Sequence, residues 1–209
     1  MNKFLKDRHC EAKGLPGFES ALEGWLEALA IYGDAVEGDY SWNYRERACI
    51  GFLAAGIWRS GGVALEEWQT SKRTEAQRKQ GRCDLWAYRK NRYDYHIEAK
   101  HMWSRATGKR PKEIGYIEHA LSEAVKDARR LTCAPRLKLG ILFVAPFYPS
   151  GKQQDLSTHI RDWLKDIYTV PHAAIGWLFR DRHTLRASRW QLGPGMVLLA
   201  RKAHESSVG

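Results

Sequence analysis

The sequence predicts an α/β fold: a mixed central β-sheet, made of an antiparallel hairpin and a parallel βαβ unit, flanked by helices. Three observations carry that expectation. Residues 82–88 and 95–100 are rich in aromatic and branched side chains and are joined by the polar run Arg89-Lys90-Asn91-Arg92, the mark of a hairpin. Residues 137–145 and 173–179 are nearly continuous apolar runs, as in strands buried on both faces. Around them lie segments whose apolar residues recur at helical spacing.

Taken in order, residues 18–32 read as an amphipathic helix, with Ala21, Trp25, Leu29 and Tyr32 on one face and Gly33-Asp34 as punctuation. A second helix is expected over 41–59, ending before Ser60-Gly61-Gly62. Its stripe of Cys49, Ile50, Leu53 and Ile57 is extended by Glu46, a carboxylate in the first turns that the helix dipole would stabilise. Residues 62–69 read as a first strand and 70–80 as a basic, polar loop. The hairpin follows, and then a second basic loop over 104–112, broken by Gly108 and Pro111. Residues 113–131 carry Ile117, Leu121, Ala124, Val125, Ala128 and Leu131 along one helical face. The two apolar runs, with a helix over 154–168 between them, make a βαβ unit expected to be parallel and right-handed. Met196 to Ala200 reads as a short edge strand. Trp25, Trp58, Trp163 and Trp177 hold core-like positions.

The hairpin brings chemistry together. Centred on Asn91, it sets Asp84 opposite Glu98, and opposed residues of an antiparallel pair share a face with Cβ atoms about 4.5–5.5 Å apart. Lys100 follows Glu98 by two residues and joins that face; His96 precedes it by two, while Cys83 and His101 fall on the other. Two adjacent carboxylates repel unless a proton or a cation lies between them. Mg²⁺ suits such a pair, since it takes oxygen ligands and is commonly held by one or two carboxylates plus substrate phosphate. The competing reading is a solvated sheet face on which Glu98 and Lys100 form an exposed ion pair of small energetic value. Trp86 and Tyr88 on the same face favour a partly covered cleft.

Asp84, then Glu98-Ala99-Lys100 after thirteen intervening residues, resembles the PD-(D/E)xK nuclease superfamily, with Cys83 where the motif has proline. The resemblance covers roughly residues 40–180 and implies a restriction-endonuclease-like fold. It implies further that Asp84 and Glu98 bind divalent metal (Mg²⁺, with Mn²⁺ able to substitute), that Ala99 lends its carbonyl, and that Lys100 assists the attacking water. Glu46 becomes an additional acid near the metal and His96 an accessory. No Gln-x-x-x-Tyr follows Lys100, which favours an endonuclease, and cutting both strands would call for a symmetric dimer.

Charge and composition narrow the classes. The chain has 209 residues, 44% of them hydrophobic, enough for one core. We expect a helical extension over 1–39 packed on a nuclease domain over 40–203, with a frayed tail over 204–209. The 34 Lys and Arg against 24 Asp and Glu give a net charge of +10, favouring a polyanionic partner, DNA before RNA. Lys72, Arg73, Arg78, Lys79, Arg105, Lys109 and Arg110, in the two basic loops, are the candidate phosphate contacts. Four scattered cysteines without zinc spacing and the lack of a long uncharged apolar segment lead us to expect a cytoplasmic protein that does not span a membrane. Two other classes stay open: an inactive nucleic-acid-binding module of the same fold, and a factor that binds an acidic protein.

Overall fold

The computed structural model describes residues 3–36, 39–73, 78–107, 110–132, 137–149, 156–179, 190–192 and 195–203. Strands β1 (Arg8–Ala12), β2 (Val63–Arg73), β3 (Arg78–Arg89), β4 (Tyr93–Arg105), β5 (Leu137–Pro149), β6 (Ala174–Phe179), β7 (Trp190–Leu192) and β8 (Gly195–Lys202) form one mixed sheet. Its order is β1-β6-β8-β5-β4-β3-β2, with β7 pairing beside β8 on β5. Helices α1 (Phe18–Ala35) and α2 (Arg45–Arg59) cover one face; α3 (Arg110–Arg129) and α4 (Leu156–Tyr168) cover the other.

The apolar runs explain the middle of the sheet. Along β5, Leu139, Ile141 and Phe143 point to the α1/α2 core while Leu142 and Val144 point to the α3/α4 core. Along β8, Met196, Leu198 and Ala200 face the first core, Val197 and Leu199 the second. Side chains buried on both faces are what a central strand needs, and β8 is one: it lies between β5 and β6, antiparallel to both. The expected edge strand is therefore an interior one. β5 and β6 run parallel, as the βαβ reading requires, but β8 separates them. The adjacent parallel pair is β4 and β5, joined through α3. At one edge β1 pairs with β6; its Arg8, His9 and Glu11 give no strand pattern in sequence.

Two helical expectations need correction. Arg45 has φ 65°, outside the helical range, so the segment over 41–59 is a 3-10 turn (Ser41–Tyr44) followed by α2. Trp58 is 54% exposed at the end of α2 and not in the core, whereas Trp25, Trp163 and Trp177 are buried.

The greatest departure is the basic segment over 70–80. Instead of a loop, β2 continues to Arg73 and β3 starts at Arg78, pairing Thr70 with Gly81 and Lys72 with Lys79. This distal ribbon is tied to the end of α3 by Thr132, whose backbone N–H and hydroxyl both donate to the Ser71 carbonyl at 2.9 Å. The second loop shortens likewise, with β4 running to Arg105 and α3 starting at Arg110. The β3–β4 hairpin has the expected register, Leu85↔Ile97 to Arg89↔Tyr93, and Asn91 at its tip takes φ 59°, a left-handed conformation that asparagine tolerates.

Gly140 of β5 lies beside Glu98 in the β4–β5 register and lets α3 dock there. A Cβ at 140 would fall 2.4 Å from the Val125 backbone nitrogen. We expect Gly140→Ala to destabilise the protein by about 1–3 kcal/mol through overpacking. Gly115, on the same helix with nothing within 4 Å, gives the contrast: Gly115→Ala should stabilise by about 0.5–1 kcal/mol. Thermal unfolding of both variants checks the pair; equal shifts would contradict the docking argument.

Candidate active site at the divergence of two strands

The β3–β4 ladder ends at Leu85↔Ile97, one pair before Asp84 and Glu98. There β3 leaves β4 to become the distal ribbon. The Ala99 N–H, beyond the last pair, donates to the Asp84 Oδ2 at 2.7 Å, so the carboxylate fills the opening between the strands. Glu98 is 2% exposed on β4. Its cation is Lys72, whose ammonium lies 2.8 Å from Oε1 and 2.9 Å from Oε2. Only the Oε2 contact has hydrogen-bond geometry, leaving buried Oε1 held by charge alone.

Lys72 reaches Glu98 because of two features of the ribbon. The first is Gly81: a Cβ there would lie 3.0 Å from Lys72 Cγ and 3.2 Å from Cδ, so the missing side chain makes room for the lysine stem to cross β3. The second is Glu67, the residue in line with Asp84, whose φ is 52°. Glu66 lies on the α2 side against Gly51, yet Trp68, two residues on, stacks on Trp86 of the opposite face. A strand of period two would put both on one face. The left-handed residue between them reverses the alternation and carries Trp68 and Lys72 onto the Glu98 side. Glu67 itself accepts from Arg47 at 3.1 Å and Arg82 at 3.3 Å.

Lys100 has a partner that the sequence reading did not foresee. Its ammonium binds Asp127 of α3 at 2.9 Å, and Asp127 also accepts from Arg130 at 3.0 Å. Burial lowers the Lys100 pKa, but the Asp127 hydrogen bond and the charges of Asp127, Glu46 and Asp84 outweigh it, and the net shift is upward. Glu46, at the start of α2, faces the same centre: burial and then the Asp84 charge raise its pKa, opposed by Lys100 and by the His101 backbone N–H. His96 is buried, lies 3.8 Å from Asp94, and has its pKa lowered by burial. Trp103 packs on the α1/α2 core and stands edge-on to His101, away from the Glu98 face. Cys83 is buried, as expected.

Asp84, Glu98, Glu46 and Lys100 thus converge on one centre, joined by Lys72 and Asp127, which sequence placed elsewhere or missed. Of the other candidate phosphate contacts, Arg105 is exposed, and its backbone N–H donates to Glu113. Arg73, Arg78, Lys79 and Arg110 belong to described strands or helix, but their side chains, like all of Lys109, lie outside the described residues; so do Cys133 and the tail over 204–209. Among the described residues no group of three or more His, Cys, Asp or Glu is gathered tightly enough to cage a metal ion, and no helix is long and apolar enough to cross a membrane.

Burial governs both acids, and Glu98 also feels the Asp84 charge. Burial, then the Asp84 charge, raises the Glu98 pKa from 4.5 to about 7 against the opposing pull of Lys72. Burial likewise raises Asp84, opposed by the Ala99 N–H and by both lysines. No protein-family model matches the chain, and neither a curated protein nor a solved structure matches it.

The raised Glu98 pKa has a consequence for stability. Between pH 4.5 and about 7 the folded protein holds a proton on Glu98 that the unfolded chain has lost, so stability falls as pH rises through that window. The contribution is on the order of 3 kcal/mol. With chelator present, the wild-type thermal midpoint should drop more from pH 5 to 7.5 than that of Glu98→Gln, which cannot titrate. Parallel curves would sink the assignment.

Proposed function

We propose that this chain is a metal-dependent nuclease with a restriction-endonuclease-like core, hydrolysing phosphodiester bonds, most readily in DNA. The observation that carries the reading is the pair of buried Glu98 and half-buried Asp84 at the divergence of β3 and β4, with a lysine two residues beyond Glu98. The order α2, β2–β3–β4, α3, β5 supports it, being the order implied by the resemblance to the PD-(D/E)xK superfamily. So does the net charge of +10, which attracts a polyanion.

The donor set fits a hard divalent cation: the converging acids offer oxygen only, and burial, which raises the pKa of each, leaves their charges poorly solvated by water. Asp84 and Glu98 would hold the ion, with the Ala99 carbonyl beside them. When bound, Mg²⁺ supplies an acidified water and charge neutralisation on phosphate. Lys100, kept protonated by Asp127, serves as a fixed positive charge for the phosphorane and does not act as the base. Glu46 takes a share of the same field. Lys72 competes with the ion for Glu98.

The test is cleavage of plasmid and single-stranded DNA in Mg²⁺ or Mn²⁺. Asp84→Ala and Lys100→Ala should each lower the rate roughly 10²–10³-fold, as removal of one preorganised charge does elsewhere, and EDTA should abolish it. Cutting that survives both substitutions and chelation would refute the proposal. Lys72→Met should lower the Mg²⁺ concentration giving half-maximal cleavage, because the competing ammonium is gone; a higher requirement would make Lys72 part of the working site. The Lys72–Glu98 pair also favours a second reading, a nucleic-acid-binding module whose metal position a lysine has taken. That reading gains if DNA binds with a steep salt dependence and neither ion produces cleavage.

A further inference from the structure

Beside the acids lies a row of stacked rings that the core does not use. Trp68 stacks on Trp86 at 5.3 Å between centroids and 30° between planes, and Trp86 on Tyr88 at 5.7 Å and 19°. Here α3 lies over β4, β5 and β8, and the ladder over β2 and β3 keeps water contact: Trp68 is 40% exposed, Tyr88 37%, and Leu65, directly across from Trp86, 40%. Trp86 is fixed in orientation, its indole N–H donating to Asp94 at 2.9 Å.

The row has a direction. Trp86, the middle ring, stands two residues or about 7 Å along β3 from Asp84, and Trp68 at the near end stacks on it from β2, where it pairs with Cys83. The other end runs out to the hairpin tip, where Lys90 and Arg92 are exposed beside Arg89. On the far side of Asp84, Arg82 projects from β3 with most of its side chain in water. Along β3 and into its turn the order is thus a cation (Arg82), an acid (Asp84), two rings (Trp86 and Tyr88) and cations (Arg89, Lys90 and Arg92), with Glu98 and Trp68 joining from the neighbouring strands. That pattern matches an unpaired nucleic-acid strand: phosphates meet the cations and bases lie on the rings. Ring faces accept every base, and an arrangement of rings within a positive track is how single strands are held without base readout. A duplex cannot use the rings, because its bases are already stacked on one another.

We propose that Trp68, Trp86 and Tyr88 form a stacking platform for unpaired nucleotides, which makes the substrate of the neighbouring acid site a single strand, a flap or a frayed end. The platform's role in substrate choice rests on the nuclease reading; the platform itself does not. The strand follows β3, with its scissile phosphate at Asp84 and Glu98 and the bases to one side of that phosphate on the rings.

Binding in EDTA, where no turnover occurs, tests the platform separately from catalysis. Labelled oligothymidylate, an abasic oligomer of the same length and charge, and a blunt hairpin duplex are titrated against the full chain by fluorescence anisotropy. Oligothymidylate should bind at least tenfold more tightly than the abasic oligomer. Trp68→Ala and Tyr88→Ala should each weaken oligothymidylate binding roughly 5- to 100-fold, the worth of one base–ring stack. Duplex binding should stay constant, and Trp68→Phe should recover most of the loss. Equal affinity of the wild-type protein for the oligothymidylate and the abasic oligomer overturns the platform, and that comparison needs no variant to fold. Ring-dependent binding without cleavage in Mg²⁺ or Mn²⁺ leaves the platform standing and removes the nuclease. Cleavage with no ring dependence does the reverse.

Discussion

A carboxylate almost sealed from water, Glu98, sits in the sheet beside a second carboxylate, and the surrounding structure answers that constraint. Removing one charge from water costs several kcal/mol, and a like charge nearby adds to it. The fold has two responses. One is protonation, visible as a Glu98 pKa near 7. The other is a cation, and Lys72 supplies it from two strands away. Much of the local architecture serves that reach: the ribbon that extends β2 and β3, the bare Cα of Gly81, and the reversal at Glu67.

Glu67 deserves weight because its backbone is costly. A left-handed glutamate in the middle of a strand is strained by on the order of 1–3 kcal/mol, and such strain persists where the surroundings require it. Arg47 and Arg82 hold its side chain. With a regular strand at 67, Trp68 and Lys72 would face α2, leaving Glu98 without its ammonium and Trp86 without its stacking partner. One residue in an unusual conformation therefore supports both the charge balance of the acid centre and the ring row beside it.

How far this was legible in sequence depends on the range of the interactions. The hairpin register was, because a polar turn between two β-rich segments fixes the pairing by symmetry, and Asp84 and Glu98 are equidistant from Asn91. The helices were, because apolar periodicity is local. The place of β8 was not: a short apolar run reads alike in an edge strand and in an interior one, and only packing with β5 and β6 decides. The ribbon over 70–80 was hidden by its composition, since Ser71, Lys72, Gln80 and Gly81 carry little strand preference. The partners of the site were hidden by distance. Lys72 lies 26 residues from Glu98, and Asp127 meets Lys100 only because Gly140 lets α3 come close to the sheet. Glycine at positions 81 and 140 was the available signal, and it is interpretable only once the neighbouring element is known.

The charge layout joins these points. Glu46, Asp84, Glu98 and Asp127 stand against Lys72, Lys100 and Arg130, so the centre is close to neutral although the whole chain is strongly basic. On the nuclease reading proposed above, a nucleic-acid strand would be drawn by the outer cations, among them Arg47, Arg82, Lys90 and Arg92, and would meet a centre that neither attracts nor repels it strongly. Binding strength would then come from the periphery and the rings, and the centre would be left to act on a phosphate already in place. The two inner lysines are not equivalent in that act. Lys100 is fixed by an aspartate on a helix packed against the sheet, and its charge stays where it is. Lys72 is carried by a ribbon attached through Thr132 and a bridge to Leu131. On the proposed reading, that difference in carrier would make Lys100 the standing charge and Lys72 the one that a bound ion displaces.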